Sequence, residues 1–255
     1  MLVLTLLLLQ DPVAIELRPA QGDRLSVVDK WTYDFQGKLG EEPITSSSRG
    51  ARHMRVEMAK VEGGRLDRKV VQFEDAYVEE LDVHTGKFIR REDPVRGRKV
   101  TISRRDGKDA LEGVDGLPEP SRKSLTLIDP LTRLLPEKPV KPGDTWELAG
   151  EGLRRIFTTG DFTEGKIGVK LVTVKEIDGR RCAILATKYD VKGKAPGVEM
   201  ELQIAGELTI WIERGYVMAM TQKGVLKTKP IGDAKGIAEG KASITGELTA
   251  TILEK

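Results

Sequence analysis

From Val198 to Glu213 the chain sets Val198, Met200, Leu202, Ile204, Gly206, Leu208, Ile210 and Ile212 against Glu199, Glu201, Gln203, Ala205, Glu207, Thr209, Trp211 and Glu213 in unbroken alternation. A period of two puts the apolar set on one face of a β-strand and the mostly polar set on the other, which a helix cannot do. At roughly 3.3 Å per residue the run would span about 50 Å, longer than an ordinary strand, so Gly206 is expected to mark a bend or bulge. A second run places Ile244, Gly246, Leu248, Ala250 and Ile252 opposite Ser243, Thr245, Glu247, Thr249 and Thr251, and it is expected to be the closing strand.

Helical signals are nearly confined to Asp129–Leu135, where Asp can cap, Pro130 suits the first helical position and Pro136 stops the turn. The predicted fold is therefore mainly β: a long curved antiparallel sheet, half-barrel or barrel-like, with one short central helix. Gly63-Gly64, Asp178-Gly179 and Arg214-Gly215 sit between strand-forming runs and predict hairpins. Residues 105–124 carry Asp106-Gly107, Gly113, Asp115-Gly116, Pro118 and Pro120, which reads as a loop or linker.

The sequences on either side of the central helix resemble each other. Gly22-Asp23 with Trp31 is echoed by Gly143-Asp144 with Trp146, the stretch 55–65 by 169–180, and 84–89 by 213–218. Three features in the same order predict an internal duplication, with 11–135 as the first β repeat and 136–255 as the second, the two forming one continuous domain, and with common hairpin grammar in two unrelated stretches as the alternative. Trp31 and Trp146, on corresponding strands, are expected to be largely buried, and Trp211, on the polar side of its run, to be wetter or else to mark a second covered surface.

Residues 1–10 form a separate, signal-like apolar segment. The run Leu2–Leu9, broken only by Thr5, stops at Gln10-Asp11-Pro12. It is too short to span a bilayer and has the length of a secretory h-region, although a basic n-region and an A-x-A site are missing. The competing readings are an ordinary N-terminal strand and an uncleaved anchor. The first reading predicts an extracytoplasmic protein, periplasmic or secreted, and the chain is not expected to be an integral membrane protein. A lone Cys182 can form no internal disulfide and reads as a small buried hydrophobe.

No constellation for catalysis emerges, and the chain is expected not to be an enzyme. There is no G-x-S-x-G, Ser46–Ser48 read as loop, and His53 and His84 are too far apart in sequence for a metal motif. No cofactor fingerprint is present. Glu41-Glu42 and Glu79-Glu80 are adjacent pairs that point to opposite faces of a strand. Asp144 reads as a turn residue.

The 255 residues carry 42 basic and 40 acidic side chains, a net charge of +2 that gives no general pull toward nucleic acid. Charge is uneven, however. Arg90, Arg91, Arg96, Arg98, Lys99, Arg104 and Arg105 crowd one stretch and form a candidate patch for an anionic partner, with a charged, aggregation-resistant edge as the alternative. Phe88 is the only nearby aromatic, too few to stack bases, and no nucleic-acid partner is expected.

The phrase Pro136-Glu-Lys-Pro-Val-Lys-Pro-Gly-Asp-Thr-Trp146 resembles one found in uncharacterised, secreted, β-rich bacterial proteins, after a short helix and at the opening of the second half. In architecture the pattern is similar to the half-barrel of periplasmic lipoprotein carriers, and what that likeness implies is an acyl chain held on the concave sheet face. The row Met200, Leu202, Ile204, Leu208, Ile210 and Ile212 is then the candidate ligand-binding wall. The expected function is non-catalytic binding of an acyl or lipid-like ligand. The alternative is a structural or protein-interaction module of the cell envelope with no small ligand.

Overall fold

The computed structural model describes residues 11–157, 160–232 and 237–253. The apolar run at residues 1–10 lies outside them. Twelve strands form one antiparallel sheet: β1 (Arg24–Leu39), β2 (Glu42–Glu62), β3 (Arg65–Asp82), β4 (Lys87–Glu92), β5 (Lys99–Arg105), β6 (Lys108–Glu112), β7 (Thr145–Ala149), β8 (Asp161–Ile177), β9 (Arg180–Ala195), β10 (Val198–Trp211), β11 (Tyr216–Pro230) and β12 (Glu239–Leu253). Their spatial order is β6-β5-β3-β2-β1-β12-β11-β10-β9-β8-β7, with β4 also paired to β3. The sheet is curved and not closed. The run expected to close the fold, β12, instead joins its halves, pairing with β1 from Lys38↔Glu239 to Arg24↔Leu253.

Turn chemistry lands where the sequence puts it. Gly63 and Gly64 take φ of 56° and 77° between β2 and β3, and Asp178 and Gly179 take 49° and 72° between β8 and β9, the left-handed pair that a two-residue hairpin requires. The same grammar corrects the linker reading of 105–124. Asp106-Gly107, at φ 51° and 76°, turns β5 into β6, and a short helix, Glu119–Lys123, follows. A high density of turn residues suggests missing structure, whereas one pair of them here makes a hairpin. Gly206 is no bulge either. The register slips instead beyond Thr209, where Ile210 faces Val217. A Cβ on Gly206 would stand 2.3 Å from the Thr221 carbonyl oxygen, so close strand approach is what requires glycine there.

The central helix is a 3-10 turn over Pro130–Leu134, capped by Asp129 as expected. A further short helix, Glu151–Arg154, precedes β8. Of the internal resemblances, the Trp31 and Trp146 strands are β1 and β7, and the β2-β3 and β8-β9 turns lie at one end of the sheet. The third resemblance joins turns at opposite ends, β3-β4 and β10-β11.

Two segments cover the inner face. Residues 11–23 cross the end of the sheet where β1 begins. They are held by the Val13↔Val140 bridge, by Arg18 N–H donating to the Arg214 carbonyl at 2.9 Å, and by Gly22 N–H donating to the Met58 carbonyl at 2.8 Å, and they bury Ile15. The strap 124–135 lies across the midline of the sheet. Leu125 and Leu127 pack into the β1-β2-β3-β5 half, whereas Leu131, Leu134 and Leu135 pack into the β8-β9-β10-β11 half. Trp146 fixes the second end of the strap by donating its Nε1–H to the Leu134 carbonyl at 2.8 Å.

The tryptophans differ from expectation. All three are half-buried: Trp31 lies against Gly50, Trp146 against the strap, and Trp211 against Tyr216 with the Arg180 and Arg214 guanidinium groups over its ring. Trp211 is thus covered by side chains rather than sheet, which puts it level with the other two.

Candidate functional site

The inner rows of β1, β2 and β3 are apolar where they enter the first half: Leu25 and Val27, then Met58, Val56 and Met54, then Val71 and Phe73. Each of these stretches ends on a charge at the same parity: Asp29 beyond Val27 and Arg52 beyond Met54 at one end, Lys69 beyond Val71 at the other. Where the strap passes over these rows it leaves a cavity of about 420 Å³, lined by them, by Ser124–Thr132, and by Tyr216, Val217, Met220, Gln222 and Leu248 across the midline. That volume falls in the range of roughly 300 to 1,000 Å³ usual for small-molecule sites.

The charged side chains are unequally satisfied. Arg52 donates from Nε at 3.0 Å and from Nη2 at 2.8 Å to Asp93, which is 7% exposed and also caps Val95 N–H. Lys69 donates to the Thr126 carbonyl and so helps to hold the strap, and Asp109 accepts from Leu127 N–H at 2.9 Å. Lys69 has no carboxylate within ion-pair distance among the described residues, and burial pulls its pKa from 10.5 to about 8 against the opposing influence of Asp129 and Asp109.

Asp129 accepts from Leu131 N–H through Oδ1 at 2.9 Å, which leaves Oδ2 without a hydrogen bond among the described residues. Burial raises its pKa, and burial also raises that of Asp29, with Asp129 adding to the rise and Arg52 opposing it. Asp29 has neither a hydrogen bond nor an ion pair among the described residues. Nearby, Tyr189 is 4% exposed with its hydroxyl unpartnered, Gln222 standing beside it without completing a hydrogen bond; burial pushes its pKa up to about 12. This arrangement can seat an apolar chain along the rows and a small polar head beside Asp29 and Asp129.

The residues singled out by sequence lie elsewhere. Leu202, Leu208, Ile210 and Ile212 are buried in the core of the second half, where Leu208 and Ile210 have no exposure at all. Ile204 is a partly buried neighbour of that core, and Met200 borders a separate cavity of about 500 Å³ whose lining is mostly charged. None of the six lines the first-half cavity. Sequence reasoning missed Asp29, Arg52 and Lys69, although a signal exists: each is a charge at an inward position of an otherwise apolar alternating row.

The basic stretch is largely paired within the protein. Arg90 meets Asp75 at 3.2 Å and lies over the Tyr77 ring, Arg91 meets Glu80 at 3.4 Å, and Arg96 bridges Asp75 and Glu92. Arg98 donates to the Pro94 and Asp115 carbonyls, Arg104 meets Asp109 at 3.6 Å, and Arg105 meets Glu112. Lys99 alone of the seven has no such partner among the described residues. These charges sit on and beside the border strands β4, β5 and β6, as a protected edge requires.

His53 and His84 lie on β2 and in the β3-β4 turn, Cys182 is buried on β9, and Asp144 accepts from Lys141 N–H at 2.9 Å within its turn. Among the described residues no group of three His, Cys, Asp or Glu could hold a metal ion, and no helix is long and apolar enough to cross a membrane.

No family model matches the chain, and no curated protein matches it. Among solved structures it is similar to one concerned with lipid–protein interactions in lipovitellin, at 10% identity and a TM-score of 0.46, over 92% of this chain and 26% of that one. It is similar also to DynF from the dynemicin biosynthesis pathway of Micromonospora chersina, at 9% identity and a TM-score of 0.26 over 94% of this chain and 86% of that one. A LolA superfamily protein from Nitrosomonas europaea gives 11% identity and a TM-score of 0.21, over 94% and 89%. The chain spans about a quarter of the lipovitellin chain it matches. Likenesses at this level leave the reading of the site to its own residues.

Proposed function

We propose that this protein is a non-catalytic binding protein that holds the apolar chain of an amphiphilic ligand between the first half of its sheet and the strap. The observation that carries the reading is the 420 Å³ cavity between strap and sheet, walled by Leu25, Val27, Met54, Val56, Val71 and Phe73. Asp29 faces Arg52 at one end of the inner rows and Lys69 stands opposite Met58 at the other, so charged groups bracket the apolar wall. The work is assigned to the extracytoplasmic space on the strength of the apolar run Leu2–Leu9.

Mass spectrometry of organic extracts from protein purified without detergent tests the reading, with a stoichiometric amphiphile as the expected result. A clean extract, together with no uptake of a fluorescent fatty-acid probe by the wild type, would overturn it in favour of an envelope interaction module without a small ligand. N-terminal sequencing of native protein tests the compartment; a cytosolic chain beginning at Met1 would remove that part of the proposal.

A further inference from the structure

The geometry points to a primary ammonium, carried on a single apolar chain, as the head group that the cavity selects. This rests on the proposed binding function and adds the chemistry of the head.

Arg52 and Asp93 cancel through two hydrogen bonds, which leaves Asp29 and Asp129 as two carboxylates with Lys69 as their counter-charge at the other end of the apolar rows, a formal charge of −1 with all three ionised. The unused hydrogen-bonding capacity has the same bias. Among the described residues both oxygens of Asp29 and Oδ2 of Asp129 are open acceptors, whereas Lys69 already spends a donor on Thr126. An incoming ammonium brings three donors and one positive charge and takes the formal charge of the cavity to zero. A carboxylate head would instead raise the buried charge to −2 and face two carboxylates, which low-dielectric surroundings penalise heavily. Burial pushes the Asp29 and Asp129 carboxyls above their ordinary value, and an ammonium set against them favours their ionised form.

Titration calorimetry with dodecylammonium, dodecanol and dodecanoate, each below its micelle concentration, tests the assignment at neutral pH. Dodecylammonium is expected to bind on the order of tenfold or more tightly than dodecanoate, with dodecanol between them. In Asp29→Asn and Asp129→Asn the ammonium preference should fall severalfold while dodecanol affinity stays within about twofold, because an asparagine amide oxygen in the second variant can still accept from Leu131 N–H. Thermal unfolding verifies that the variants fold, and if one does not, the wild-type ratio decides alone. Equal or weaker binding of dodecylammonium, with dodecanol bound, would overturn the head-group assignment and leave the cavity reading standing. Failure of all three ligands to bind would overturn both.

Discussion

The two halves of the sheet begin from the same alternation and end differently. In the second half every inward row from β8 to β10 is apolar or neutral, and the strap end, the Glu151–Arg154 helix and Ile15 close over it until Leu171, Leu185, Leu208 and Ile210 have no exposure. In the first half each of three adjacent rows carries one charge. A charge cannot be packed like a leucine, because it must keep a partner or a polar environment, so the strap stands off and space remains. Alternation thus specifies which side of a sheet is covered, and the few exceptions within the alternating rows specify where the cover fails to fill.

The largest effect expected from this contrast is cavity creation where packing is complete. Leu185→Ala should cost about 2 to 5 kcal/mol in urea unfolding, whereas Met54→Ala, beside space that already exists, should cost clearly less. Equal losses would erase the distinction between the halves. Enlarging side chains sharpens it. Ile210→Trp over-packs the second half and should cost about 1 to 3 kcal/mol, while Met54→Trp should fill the first-half cavity at little cost and abolish amphiphile uptake. Uptake that survives Met54→Trp but is lost in a folded Ile210→Trp would move the site back to the β10 row.

Protonation gives a smaller effect confined to the first half. Lys69 has a folded pKa near 8 against 10.5 when unfolded, so between these values the unfolded chain holds the extra proton and stability rises with pH. The raised Asp29 and Asp129 values act at the acid end, where the folded protein holds the extra protons and stability falls as pH climbs just above 3.8. The urea midpoint should therefore increase between about pH 8 and pH 10, and Lys69→Met should flatten that increase. A slope unchanged by the substitution would mean that Lys69 is better solvated than its place in the cavity implies. The smallest effect belongs to the edge. Arg105→Ala, which breaks an exposed pair with Glu112, should change stability by less than about 1 kcal/mol.

By itself the sequence determined the strands, the inward and outward sets, the tight turns and the capped central turn, because each follows from neighbours a few residues apart. It also carried the exceptions, Asp29, Arg52 and Lys69, but not their meaning: they are separated by 23 and 17 residues along the chain, and only pairing places Asp29 opposite Arg52. The row Met200–Ile212 read equally well as pocket or core, since both require the same alternation. Only the tertiary structure decided between them, by bringing Leu134, Leu153 and Ile15 down onto that row while the strap bridged the other half on the side chains of Lys69 and Asp109. Whether a face is filled depends on what long-range folding lays over it, and that is a property of the assembled layers rather than of any one strand.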